Sequence, residues 1–157
     1  MMKRFITYFC LLSIVTLLLS SCGDNKKTVI ELFSSGTVKA DVEALLGEPV
    51  HATPLFVLYE TTVKDQLAKV MVTYEEEKIT SIRYDISFAS NGDSYDEALQ
   101  LFGEIKEQIA GDRGTPTETA SGDPDTGEVI TYTWGEDSTL SFTHSPALEL
   151  ITLERYY

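Results

Sequence analysis

Apolar and polar positions follow three rhythms along this chain. Phe5 to Leu19 is an almost unbroken apolar run. Beyond it, spacing near 3.6 predicts two helices. Val38, Val42, Leu45 and Leu46 fall on one helical face behind Thr37, which can cap an N-terminus, and Gly47 followed by Pro49 ends the helix. Tyr95, Ala98, Leu99, Phe102, Ile105 and Ile109 recur at three and four, opened by a Ser94/Glu97 capping box and closed at Gly111. Period two predicts strands over Leu55 to Tyr59, Leu67 to Tyr74, Ile79 to Phe88, Val129 to Trp134, Thr139 to His144 and Leu148 to about Tyr156. Thr28 to Phe33 reads as a helical turn closed by Gly36, and the Gly-, Pro-, Asp- and Thr-rich stretch from Gly111 to Gly127 as a mobile loop.

Helix, Gly-x-Pro and three strands thus occur twice, first with Gly47-Glu48-Pro49 and then with Gly114-Thr115-Pro116. The economical expectation is an α+β fold: one domain over 36–157, built as a tandem helix-plus-antiparallel-sheet repeat (36–90 and 91–157) with its helices packed on one face of the sheet.

Successive strand side chains point to opposite sides, so the alternation assigns faces. Val70, Val72, Tyr74, Ile82, Tyr84, Ile86, Phe88, Ile130, Tyr132, Trp134, Leu140 and Phe142 form an apolar face. Lys69, Met71, Thr73, Ser81, Arg83, Asp85, Thr131, Thr133, Thr139, Ser141 and Thr143 form a polar one. Two helices cover one side of such a sheet, which leaves the Thr/Ser side for water or a partner. Leu148, Leu150, Ile151 and Leu153 do not alternate cleanly, so the last strand has no assigned face.

The N-terminal run has the parts of a secretion signal: Lys3 and Arg4 ahead of it, small Ser20 and Ser21 behind it, and then Cys22. It is shorter than the roughly 20 residues a membrane span needs. Leu19-Ser20-Ser21-Cys22 resembles the bacterial lipobox, and the resemblance implies cleavage between Ser21 and Cys22 with acyl chains on Cys22. Residues 1–21 are then a signal peptide and 22–35 a lipidated N-terminus and tether. Two or three acyl chains hold a protein far more firmly than one, at about 0.8 kcal/mol per buried methylene.

Charge and cysteine content narrow the function classes. Cys10 leaves with the signal and Cys22 carries lipid, so no thiol is left for disulfides, thiol catalysis or cysteine-ligated zinc. Removing residues 1–21 takes two cations and no acid, which moves the net charge from −13 to −15. Such a chain repels nucleic acid and anionic lipid surfaces.

Gly36-Thr37-Val38-Lys39-Ala40-Asp41-Val42-Glu43-Ala44-Leu45-Leu46-Gly47-Glu48-Pro49, followed by a hairpin with the acidic turn Glu75-Glu76-Glu77, resembles the small outer-membrane lipoproteins of the SmpA/OmlA (BamE) type. The tandem arrangement resembles the fold of the β-lactamase inhibitor protein. The likeness covers the lipobox and residues 36 to 88, and the second half only in outline. It implies a non-enzymatic lipoprotein that binds another envelope protein, in some members as part of outer-membrane assembly. Gly23, where an aspartate would retain an enteric lipoprotein at the inner membrane, implies the outer membrane.

Catalytic chemistry is thinly represented. His51 and His144 have no neighbour at metal-ligand spacing, and no Gly-x-Ser-x-Gly elbow, Walker loop or dinucleotide fingerprint occurs. Asp123-Pro124-Asp125-Thr126-Gly127 lacks the glutamate a calcium loop needs at its twelfth position, which Trp134 occupies. Glu75, Glu76 and Glu77 read as a solvated turn, and Trp134 as a core residue by its register with Ile130 and Tyr132. The expectation is a protein-binding module using no cofactor or metal, its contacts made through Thr131, Thr133, Thr139, Ser141, Thr143 and Arg83. The alternative is a small ligand-binding protein or hydrolase with a site between the two repeats.

Overall fold

The computed structural model describes residues 29–88, 95–123, 126–145 and 148–157. The elements run α1 (Lys39–Leu46), β1 (His51–Ala52), β2 (Val57–Val63), β3 (Gln66–Glu75), β4 (Lys78–Ser87), α2 (Tyr95–Arg113), β5 (Thr117–Asp123), β6 (Gly127–Trp134), β7 (Ser138–Ser145) and β8 (Leu148–Tyr156).

All eight strands form one antiparallel sheet in the order β1-β2-β3-β4-β8-β7-β6-β5. Strands β1 to β4 follow one another across half of it. The chain then returns along α2, whose Tyr95 end touches His144 and whose Arg113 end reaches Asp137, so the helix runs lengthwise over the sheet. At 1.5 Å per residue it carries the chain back about 28 Å to where β5 begins at the far edge. Strands β6, β7 and β8 then fill inward until β8 closes on β4 through seven residue pairs, Ser81↔Tyr156 to Ser87↔Leu150.

This corrects the expected fold class. Of the described residues 52% are strand and 23% helix, which makes the molecule largely β rather than a tandem helix-plus-sheet repeat. The physical reason is continuity: β4 and β8 pair directly, so there is one sheet and one core, not two packed units. The helices are also unequal. Eight-residue α1 buries only Val42 and Leu46, while 19-residue α2 buries Ala98, Leu101, Phe102, Ile105 and Ile109.

The alternation does set the faces. Ile82, Ile86 and Phe142 are fully buried, Tyr84 and Trp134 nearly so, and Tyr132 partly, while Thr131 and Ser141 lie on the opposite side. Trp134 gives its indole N–H to the Gly114 carbonyl at 2.8 Å, which satisfies its polar group within the core.

Local boundaries moved where backbone chemistry outweighed side-chain rhythm. The stretch expected as a mobile loop continues α2 to Arg113 and then forms β5, because Gly114 at φ +81, not Gly111, takes the left-handed turn that ends the helix. Val38, not Thr37, is the N-cap of α1, and the Thr37 hydroxyl donates to the Ser34 carbonyl at 2.8 Å. Leu55, expected in a strand, is 80% exposed in a turn where the Thr53 hydroxyl oxygen accepts the Leu55 and Phe56 amides. Both tight hairpins of the first half place non-glycine pairs at positive φ, Lys64 with Asp65 and Glu76 with Glu77. That is the turn geometry that matches strand twist.

Residues 29–33 form no helical turn. The Gln108 side-chain oxygen accepts the Val29 and Ile30 amides at 2.7 and 3.2 Å, its nitrogen donates to the Ile30 carbonyl at 2.8 Å, and the Tyr84 hydroxyl donates to the Glu31 carbonyl at 2.8 Å. Ile30 and Phe33 are buried. Residues 29–33, within the stretch assigned to the tether, are therefore fastened to the fold. Ser94 of the expected capping box lies outside the described residues.

Candidate docking face

The side of the sheet opposite α2 is a grid whose rows are fixed by strand register. One row runs Arg83, Glu154, Thr139, Thr133, Thr117 from β4 to β5. The next runs Asp85, Thr152, Ser141, Thr131, Thr119. Five of the six residues expected to contact a partner, Arg83, Thr131, Thr133, Thr139 and Ser141, fall in these two rows. Thr143 falls in a third, between Val129 and Leu150.

From β4 to β6 these side chains are half-buried, while Thr117 and Thr119 of β5 are exposed. The Thr131 and Ser141 hydroxyls stand 3.2 Å apart. Arg83 donates through Nε to both Asp85 oxygens at 3.0 and 3.1 Å, and the Thr152 hydroxyl donates to Asp85 Oδ1 at 3.0 Å. Arg83 is thus a member of an internal polar network rather than an isolated cation. Glu154 accepts the Tyr156 hydroxyl at 2.9 Å, and that bond, with the carboxylate's charge, raises the phenol's pKa. Threonine suits such a surface because its branched side chain is stiff at χ1, so a partner that packs on it orders little that was mobile.

Sequence reasoning placed Asp85 on this face but did not place Thr152 and Glu154 there. The signal was present but masked in β8: Leu148 and Leu150 share the outward side with Thr152 and Glu154, while Ile151 and Leu153 are the buried pair. At that end the face gains an apolar margin, with Leu67 and Val129 about two-fifths exposed.

The histidines are placed differently. His51 sits on exposed β1 with its ring 6.1 Å from Phe56. His144 packs edge-on to Tyr95, and its Nδ1 lies 3.4 Å from Glu149 Oε1, close enough for attraction when protonated but not aligned as a hydrogen bond. Tyr95 donates to Glu128, and that bond pushes its pKa up to about 12. A groove beside α2 is lined by Leu99, Phe102, Gly103, Ile130 and Tyr132, with Lys106 Nζ 4.6 Å above the Tyr132 ring. Among the described residues no group of three His, Cys, Asp or Glu side chains is arranged to hold a metal ion.

Ser21 and Cys22 lie outside the described residues, and among those described no helix is long and apolar enough to cross a membrane. No family model matches this chain, and no curated protein or solved structure matches it either.

Proposed function

We propose that this chain is a lipid-anchored envelope lipoprotein that acts as a non-enzymatic docking module, presenting the Thr/Ser face to another envelope protein. One observation carries the reading: two rows of polar side chains, Thr or Ser at seven of their ten positions, cross five adjacent strands on the side of the sheet opposite the core. A hydroxyl grid of that kind offers hydrogen bonds at regular spacing, and the stiff threonines lower the entropy lost on association. The anchor rests on the lipobox at Cys22, and a role in outer-membrane assembly or maintenance rests on the SmpA/OmlA resemblance.

Photocrosslinking in intact cells from a probe at Thr133 or Ser141 tests the docking face. The expected result is one defined envelope protein captured from both positions, with capture lost in Thr131→Arg. Failure of both probes in a correctly folded, membrane-bound protein overturns the reading. For the anchor, Cys22→Ala should abolish palmitate labelling and release the protein from membranes.

A further inference from the structure

The two edges of the sheet differ in length, two residues in β1 against seven in β5. β1 is two residues long and sits between Pro49 and Pro54, which have no amide hydrogen to offer a neighbouring strand. Short strands and prolines are how natural sheets block an edge. β5 is likewise bounded by prolines, Pro116 and Pro124, but it is far longer and has no proline within it. Its seven residues, Thr-Glu-Thr-Ala-Ser-Gly-Asp, pair with β6 in unbroken register from Thr117↔Thr133 to Asp123↔Gly127, and all seven are exposed.

An antiparallel strand exchanges hydrogen bonds with its partner at every second residue, so the alternate residues of β5 direct their N–H and C=O groups away from β6. The sheet order ends at β5, so among the described residues no strand meets those groups. Edges are also commonly protected by lysine. From Gly114 to Glu154 the sequence holds eight carboxylates and not one lysine or arginine. Two of the eight, Glu118 and Asp123, belong to β5 itself.

We infer that β5 is a strand-addition site for an extended cationic segment of a partner protein. Backbone pairing supplies the attachment, as in other cases where a peptide lengthens a sheet. Charge selects the partner. A second copy of this chain would bring two acidic edges together, whereas lysine or arginine side chains meet Glu118 on the core side and Asp123 near the turn. On the core side an added strand would also lie beyond Ala120, which pairs with half-buried Ile130, a shelf for the methylene stems of such side chains.

The inference takes from the docking reading only that the ligand is a protein segment, and it uses a different surface. The probe is a fluorescent ten-residue peptide of alternating lysine and valine, titrated into the mature, detergent-solubilised lipoprotein. The control is the same peptide N-methylated at every peptide nitrogen, which keeps the charge and removes the donors. The parent peptide should bind at least about tenfold more tightly than the control. It should also slow amide exchange within 117–123, weaken as salt rises, and lose about tenfold in affinity against the double variant Glu118→Lys/Ala120→Lys. Both of those side chains are exposed, and because Glu118 shares a hydrogen bond with Tyr132 an unchanged thermal melt is required of the variant. Ser141→Arg, on the open face, should leave peptide binding unchanged. No binding, equal binding of the methylated control, or exchange protection confined to other strands overturns the inference. Crosslinking from Thr133 and Ser141 reports on the open face separately, so either proposal can fail while the other stands.

Discussion

The central strands of the sheet and its β5–β6 margin obey the same alternation and end up buried to different depths. In β3 and β4 the inward residues Ala68, Val70, Val72, Ile79, Ile82, Tyr84 and Ile86 are all at or near complete burial. The inward residues of β7 and β8, Leu140, Phe142, Ile151 and Leu153, match them, but in β6 Ile130 and Tyr132 stay half-exposed with only Trp134 buried, and in β5 nothing is buried. Period two dictates which way a side chain points, whereas cover dictates how much water it loses. Over the first half, α1, residues 29–33 and α2 all contribute apolar cover, with Ile30, Phe33, Val42 and Leu101 in the core. Toward the β5–β6 margin, Phe102 reaches Tyr132 and Phe142, and no described ring extends the stack to β5.

Matched truncations put the largest stake on that difference. Ile82→Ala empties a fully buried site and should cost about 2–5 kcal/mol, while Ile130→Ala, at a half-buried position, should cost about 1 kcal/mol. Urea denaturation followed by tryptophan fluorescence measures both. Equal losses would mean that β6 is covered as deeply as β4.

Turns extend the contrast. In the second half, Gly122 at φ +92 is so close to the Gly127 carbonyl that a Cβ there would overlap the oxygen. Gly122→Ala should therefore cost roughly 1–3 kcal/mol, seen as faster amide exchange across β5 and β6 with β2 to β4 unchanged. In the first half the strain is already present, at Glu76 and Glu77 in the left-handed region without a glycine. Replacing them as Glu76→Asn with Glu77→Gly should stabilise by about 1 kcal/mol, read as a higher Tm. Neither effect would appear if these turns relaxed freely.

How much of this was legible beforehand depends on which force set each element. Strand direction and the core list came from period-two spacing, and β3, β4, β6 and β7 were found within a residue or two of their ends. The faces followed, and with them the Thr/Ser grid. β5 was illegible because nothing in Thr-Glu-Thr-Ala-Ser-Gly-Asp alternates in hydrophobicity; it is a strand through pairing with β6 alone. The packed segment at 29–33 was hidden for a related reason, since a glutamine 78 residues away holds it. The repeat was over-read. Two similar strings of local signals do not say whether the strands they predict make two units or one, and that was decided by the β4–β8 pairing.

The smallest test concerns how α2 is fastened to each half. Lys64, in the turn between β2 and β3, pairs with Glu104, and Arg113 pairs with Asp137 in the turn between β6 and β7. In each case the cation's hydrogen bond is the main cause that lowers the carboxyl pKa. A carboxylate whose folded pKa lies below its unfolded value contributes stability that is fully present above the unfolded pKa and disappears as pH falls through the folded one. Both pairs should therefore help at pH 7 and stop helping in the acid range below about pH 4. The Asp137 side chain is 47% exposed, so solvent screening holds its contribution to about 1 kcal/mol or less. Asp137→Asn should destabilise by that amount at neutral pH and by nothing at pH 2, with faster exchange at the β6–β7 turn. Glu104→Gln should show the same pH profile with its exchange change at the β2–β3 turn instead. If both variants loosen the same half, α2 and the sheet move as one rigid body, and the difference between the central strands and the β5–β6 margin lies in burial alone.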